Sequence, residues 1–422
     1  MSGENLVVEL QVPLQERAEL NLLIEYVNHD FIGFGKLLSQ NCHLDVNCNG
    51  LSGFPELEAY RDIIQSVGMY SLNGVRACTG FLINNVRQDC TPFFMTAFHC
   101  EVNERNAPSV VVYWNYENST CRPIGLPENS RRGDGPLIDF NTGSTLIAAN
   151  EASDMALLKL DDAVSSTANA FFAGWTNADL TPSSTICIHH PNTEEKRISF
   201  SEQPTYDGLW GSGSRFITSG NHLVVPSWNV GSTEGGSSGA PLFDTNSKRV
   251  IGQLHGGQAR CGNQEYDSFG KFYNSWEGNG TPNTRLKDWL DPDGLELSGI
   301  DGYYQNECGK TIVTSQYVKA TCSTDTVTYQ LVFEAGFVGE INLSVTGLPE
   351  AIAVAFSKNP VVLQDTITLQ LSQLEQYQDT IITWAVVAKD SISLSLLPFK
   401  SGYWEIQYNQ LVCYFLPTTI PL

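Results

Sequence analysis

Three short stretches of this 422-residue chain hold the side-chain types that acyl transfer needs. In Gly235-Gly236-Ser237-Ser238-Gly239-Ala240-Pro241 a serine stands between glycines. Glycine permits backbone conformations with positive φ and lets successive N–H groups turn toward one point, where an oxyanion would form. In Met95-Thr96-Ala97-Phe98-His99-Cys100 a histidine closes a strand-like run, and the adjacent cysteine could fix its orientation through a disulfide. In Ser153-Asp154-Met155-Ala156-Leu157-Leu158-Lys159-Leu160 an aspartate leads an apolar strand, where its carboxylate can be partly buried and hold an imidazole. Hydroxyl, imidazole and carboxylate are the nucleophile, the general base and the group that orients the base. Ser238 directly precedes a glycine and is preferred to Ser237 as the nucleophile; the N–H groups of Gly236 and Ser238 would form the oxyanion hole. Each stretch also has a plainer reading, as a flexible turn, a structural histidine or a strand-capping aspartate. Their joint occurrence favours catalysis.

The order His99, Asp154, Ser238 is that of chymotrypsin-type serine proteases and differs from the orders in subtilisins and α/β-hydrolases. Further matching pieces lie along the chain: Arg61-Asp62-Ile63-Ile64, Ala77-Cys78-Thr79-Gly80, Val111-Val112-Tyr113-Trp114-Asn115-Tyr116 and Asn118-Ser119-Thr120-Cys121. Ile188-His189-His190-Pro191-Asn192, Glu195-Lys196-Arg197-Ile198-Ser199, Gly252-Gln253-Leu254-His255-Gly256-Gly257 and Asp288-Trp289-Leu290-Asp291-Pro292 continue the series. Over residues 37–303 the chain resembles the bacterial lysyl endopeptidases, a secreted branch of the trypsin-like fold. The resemblance implies bridges Cys42–Cys261, Cys48–Cys121 and Cys78–Cys100. Cys90 and Cys187 are then left to pair with each other. Of Cys308, Cys322 and Cys413, Cys308–Cys322 is the expected pair.

The resemblance also bears on specificity. A trypsin-like pocket acid would fall at or near Ser232, in Val230-Gly231-Ser232-Thr233-Glu234, where there is none. In lysyl endopeptidases the acid lies downstream, before a Gly-basic-aromatic strand. Tyr266-Asp267-Ser268-Phe269-Gly270-Lys271-Phe272 then puts Asp267 in the pocket, with Glu265 as the alternative if the loop register shifts. An exposed turn residue is the plainer reading of Asp267. Trp210 and His255 match family positions that stack beside the catalytic histidine, and both are expected to line the substrate site. The family's mature enzyme begins close to Leu37, which makes residues 1–36 the tail of a pro-segment and Lys36–Leu37 a self-processing bond. A native extension packed on the domain is the competing reading. No activating Ile-Val start is present, so the Cys42–Cys261 crosslink is expected to order the pocket instead.

Composition narrows the classes. The formal net charge is −22 and charged residues make up only 17%, which disfavours nucleic acid, whose partners want a basic face. The same charge disfavours anionic membranes, and no segment has the apolar length to span a bilayer. Eleven cysteines without CxxC zinc pairs point to disulfides and an oxidising compartment. Residues Leu6 to Val12 are too short and interrupted for a signal h-region, so the sequence is expected to start partway through a precursor. His189-His190 with Glu194 does not read as a metal site, because adjacent strand residues face opposite ways. Asp291-Pro292-Asp293-Gly294 lacks the later acids of an EF-hand. No metal and no cofactor is expected; the partners are protein or peptide substrates, and the chain is expected to be a monomer.

These residues need a scaffold of strands. Residues 37–303 read as short strands separated by Gly, Asn, Asp and Ser turns, with helices at Glu56 to Val67 and Thr284 to Leu290. Residues 310–415, within an expected domain 304–422, alternate with period two, in Val327/Tyr329/Leu331/Phe333, Ile341/Leu343/Val345, Ile367/Leu369/Leu371 and Ile392/Leu394/Leu396. That is the pattern of an Ig-like β-sandwich, an accessory domain without a catalytic constellation. The expected fold is all-β: a chymotrypsin-like double β-barrel followed by an Ig-like β-sandwich. The expected function is that of a secreted serine endopeptidase cutting after lysine. The alternatives are a same-fold protease with arginine or another preference, an inactive protease-like binding protein, and a structural or adhesive surface protein.

Overall fold

The computed structural model describes residues 17, 40–48, 57–210, 220–294 and 296–307, and further on 321–322, 326–332, 341–346, 351–360, 366–373, 381–390, 404–409 and 412–417. The pro-segment assignment, the Lys36–Leu37 bond, the Cys308–Cys322 pairing and the row Ile392/Leu394/Leu396 fall outside the described residues. The chain is all-β with a few short helices. It divides into two compact units, the first ending at Gln305 and the second running from Asn306. Segments 87–90 and 295–298 group with the second unit.

The first unit is built on two antiparallel sheets. One has seven strands in the order Asp139–Thr142, Val111–Trp114, Val67–Leu72, Arg76–Leu82, Phe93–Ala97, Met155–Leu160 and Ser144–Asn150. The main path of the other runs Leu44–Asp45, Arg197–Ser201, Thr185–His189, Pro241–Asp244, Val250–Gly257, Asp267–Lys271, His222–Val225 and Tyr206–Gly208. Many of these strands are buried on both faces; Val67–Leu72, Phe93–Ala97 and Thr185–His189 are buried throughout. They therefore read as continuous apolar or mixed runs without alternation.

The helix expected over Glu56 to Val67 is a 3-10 turn, Leu57–Tyr60, running into one α turn, Arg61–Ile64. It stops there because Val67 already pairs with Phe81 in the sheet. The second expected helix is likewise only Lys287–Leu290. A helix at Phe272–Glu277 had no counterpart in the sequence reading. It packs Phe272 and Trp276 against Trp175.

Bonds Cys42–Cys261, Cys48–Cys121 and Cys78–Cys100 are present. The expected Cys90–Cys187 bond is not. Cys187 is a free, buried thiol, and Cys90 is bonded elsewhere. Cys187 lies mid-strand, packed with Leu223, Val225, Trp228, Leu242 and Phe269, and burial followed by the charge of Asp267 pushes its thiol pKa up. Sequence arithmetic paired two leftover cysteines, but a core position holds Cys187 as a small apolar side chain.

The second unit has two four-stranded antiparallel sheets. One orders Thr321–Cys322, Thr326–Val332, Thr366–Ser372 and Ala353–Phe356; the other orders Ile341–Thr346, Ile381–Asp390, Trp404–Asn409 and Val412–Pro417. Ile367, Leu369 and Leu371 are buried while Gln370 between them is exposed, the two-residue period expected of a half-buried strand.

Candidate active site

Strand pairing brings His99 and Asp154 together. Ala97 ends one strand directly across from Met155, which begins the next. His99 follows in a single 3-10 turn, Phe98–Cys100, whose last residue is tied to Cys78. Asp154 adopts a left-handed backbone (φ +54°), a conformation Asp tolerates better than most residues. Its carbonyl accepts the Phe98 N–H, and its Oδ1 accepts the His99 N–H at 2.9 Å. Its Oδ2 lies 2.8 Å from His99 Nδ1. The carboxylate is 1% exposed.

Ser238 comes from the other sheet. The Thr79 N–H donates to Ser238 O and the Thr79 hydroxyl to Gly236 O, so the loop is laced to the first sheet. Gly236 and Gly239 have φ of +88° and +82°, and a Cβ at Gly239 would lie 2.2 Å from Thr96 Oγ1. No larger residue fits there. Ser238 Oγ stands 2.8 Å from His99 Nε2. The Gly236 and Ser238 N–H groups donate to no other described residue. Ser237 points the other way: it is buried, with Oγ bound to His189 Nδ1 at 2.8 Å.

Against one face of His99 stands a column of rings. His255 stacks on His99 (5.0 Å) and Trp210 on His255 (3.6 Å). His222, which no sequence signal marked, meets His255 Nδ1 through Nε2 at 2.9 Å. Its Nδ1 faces the side-chain amide oxygen Oδ1 of Asn221 at 2.8 Å, so Nδ1 carries the proton and Nε2 accepts. A cavity of about 560 Å³ opens here, lined by Phe98, His99, Glu151, Trp210, His222 and His255 among others.

Asp267 is fully buried. Its Oδ2 accepts from Thr233 Oγ1 (2.6 Å) and Trp228 Nε1 (2.7 Å), while its Oδ1 has no hydrogen-bond partner. Burial raises its pKa against the pull of the Thr233 and Trp228 hydrogen bonds and of the nearby Ala259 backbone N–H. A Cβ at Gly257 would lie 2.4 Å from Oδ1, so the bare glycine keeps space at that oxygen. Glu265, the alternative acid, is exposed.

His189 faces Ser237 and Ser199, whereas His190 faces Glu194 O and stacks on Tyr116; the rings do not converge. Cys42, His43 and Cys261 cluster, but both sulfurs are spent in one disulfide.

Burial lowers His255 and His222 to about 4 and His190 to about 3, from 6.5. A histidine whose folded pKa is depressed takes up a proton on unfolding anywhere between the two values, so stability is complete above about 6.5 and falls as pH drops toward the folded pKa. The urea midpoint is therefore expected to fall already between pH 6.5 and 5, above the carboxylate range. A midpoint flat over that interval would contradict the buried, neutral state of these rings.

Residues 37–272 match the family described as lysyl endopeptidase, C-terminal domain. The chain belongs to that family. A curated relative, the lysyl endopeptidase of Pseudomonas aeruginosa PAO1, is 26% identical over 303 residues, which cover 64% of this chain and 60% of the relative. The chain thus spans about 60% of that relative's length. Among the described residues, no helix is long and apolar enough to cross a membrane.

Proposed function

We propose that this chain is a serine endopeptidase that cleaves on the carboxyl side of lysine, secreted as a zymogen and acting as a monomer. The two sheets of the first unit are read as a chymotrypsin-like double barrel over residues 37–303. The second unit is read as an Ig-like accessory domain over residues 304–422, and residues 1–36 as a pro-segment released at Lys36. The observation that carries the reading is the continuous row from Ser238 Oγ through His99 to Asp154, with 2.8 Å at each junction.

In this mechanism His99 Nε2 takes the Ser238 proton as Oγ attacks the scissile carbonyl. Asp154 holds the Nδ1–H tautomer and stabilises the imidazolium. The free Gly236 and Ser238 amides receive the oxyanion; losing one such donor costs about 10²–10³-fold in rate. The imidazolium then protonates the leaving amine; water, deprotonated by His99, next attacks the acyl-enzyme ester, and the acid product leaves as Ser238 Oγ takes the proton back. His255 covers one face of His99, and Trp210 covers His255 in turn. A lysyl ammonium fits the pocket because it supplies a donor and a charge to Asp267 Oδ1, the oxygen without a partner. A compact ammonium suits a single buried carboxylate oxygen better than the wider guanidinium fork.

Digestion of one denatured protein, with cleavage sites read by mass spectrometry, tests activity and preference together. Cuts after lysine are expected. Equal cutting after arginine would overturn the lysine claim, and no cutting would overturn the enzyme reading.

A further inference from the structure

The loop that carries the nucleophile rests on a buried floor made by the strand Thr185–His189 and the turn after it. Asn192 N–H donates to Gly235 O, and Asn192 Nδ2 donates to Glu234. A Cβ at Gly236 would lie 2.9 Å from His190 O. At the centre of this floor is His189, fully buried. Its Nδ1 is 2.8 Å from Ser237 Oγ, and its Nε2 is 3.1 Å from Ser199 Oγ.

The directions of these bonds are determined. Ser199 Oγ donates to Ser232 O, so Ser199 accepts from His189, and Nε2 carries the proton. Nδ1 therefore accepts the Ser237 hydroxyl proton. Ser237 Oγ in turn accepts the Glu234 N–H. One chain of hydrogen bonds runs from Ser237, next to the nucleophile, to Ser232, next to the Thr233 that donates to Asp267. His43, beside the Cys42–Cys261 crosslink, packs edge-on against His189 and lies 3.5 Å from Glu234. Burial, and after it His43, His190 and Arg197, hold His189 well below its ordinary pKa, in keeping with an uncharged ring.

We propose that His189 is a positioning residue for catalysis: through Ser237 it fixes the backbone that presents the Gly236 and Ser238 amides and the Ser238 hydroxyl. The inference rests on the protease reading above. It gives this chain an internal device for ordering the oxyanion site, built from a neutral imidazole and a hydroxyl.

The test uses the full chain. A fluorophosphonate is first applied to the unmutated protein; failure to label Ser238 would sink the protease reading itself, independently of His189. Given labelling, His189→Leu is expected to lower kcat on a lysyl peptide about 10²-fold with little change in KM, the scale of a small misplacement of reacting groups. Affinity for a lysyl boronic acid, which needs the same oxyanion geometry, falls by the same factor. His189→Asn places an amide oxygen near the Nδ1 position and recovers about tenfold of the loss. Ser237→Ala, which removes only a hydroxyl, covers the case in which His189→Leu does not fold, and is expected to lower kcat about tenfold. Wild-type kcat in folded His189→Leu, or in Ser237→Ala, would overturn the proposal.

Discussion

Replacing Ser238 with alanine is expected to lower amide hydrolysis roughly 10⁶-fold while leaving the protein folded, as for a catalytic unit whose members act together. The hydroxyl touches His99 and sits in a loop held by its backbone, through Thr79 N–H to Ser238 O and Gly239 N–H to Leu254 O. Loss of one side-chain oxygen leaves that lacing intact, so the thermal midpoint should hardly move. What remains is the contribution of the oxyanion amides and of substrate binding, about 10³–10⁴-fold over water. Initial rates on a lysyl peptide amide, with the midpoint from calorimetry, check both halves. Activity within tenfold of the parent would mean that the nucleophile lies elsewhere.

The second large effect falls on the pocket. Asp267→Asn preserves shape, and its amide oxygen can still accept from Thr233 and Trp228. It removes the charge and turns an amide N–H₂ toward the space beside Gly257. Breaking a buried charge pair by neutralising one partner costs about 3–5 kcal/mol, a loss of roughly 10²- to 10⁴-fold in kcat/KM on lysyl substrates. Substrates with a neutral side chain at the same position should be little affected, since the Ser238–His99–Asp154 row is untouched. An unchanged ratio of lysyl to neutral turnover would remove Asp267 from recognition.

The sequence marks these residues unevenly, for physical reasons. Local chemistry shows in local sequence. A serine among glycines, a histidine beside a cysteine and an aspartate heading an apolar run each carry a signature, and these stretches now stand around one 2.8 Å row. The distance itself is not local. Ser238 reaches His99 across 139 residues only because Thr79 ties one sheet to the loop of the other. His222 has no signature, and His189 shows only within a matched piece and a rejected metal pair, because each sits in an apolar strand where a histidine reads as a packing residue. Their roles appear only when pairing sets His222 against His255 and His189 against Ser237. The same gap misled the cysteine count: nothing in the sequence separates a core thiol such as Cys187 from half of a bridge. The first expected helix is overextended because apolar residues of a strand buried on both faces continue a helical pattern, as Val67 does after Ile64.

The claim beneath both large effects is that one serine hydroxyl, and not its neighbour, is made nucleophilic by His99. Ser237 is sequestered beneath the loop by His189, so only Ser238 presents a hydroxyl to the His99 ring. Treating the folded protein with a fluorophosphonate and mapping the adduct by peptide mass spectrometry separates the two. The account predicts a single adduct on Ser238, formed stoichiometrically and lost on denaturation before treatment. An adduct on Ser237, or no adduct on a protein that cleaves peptides, would contradict it.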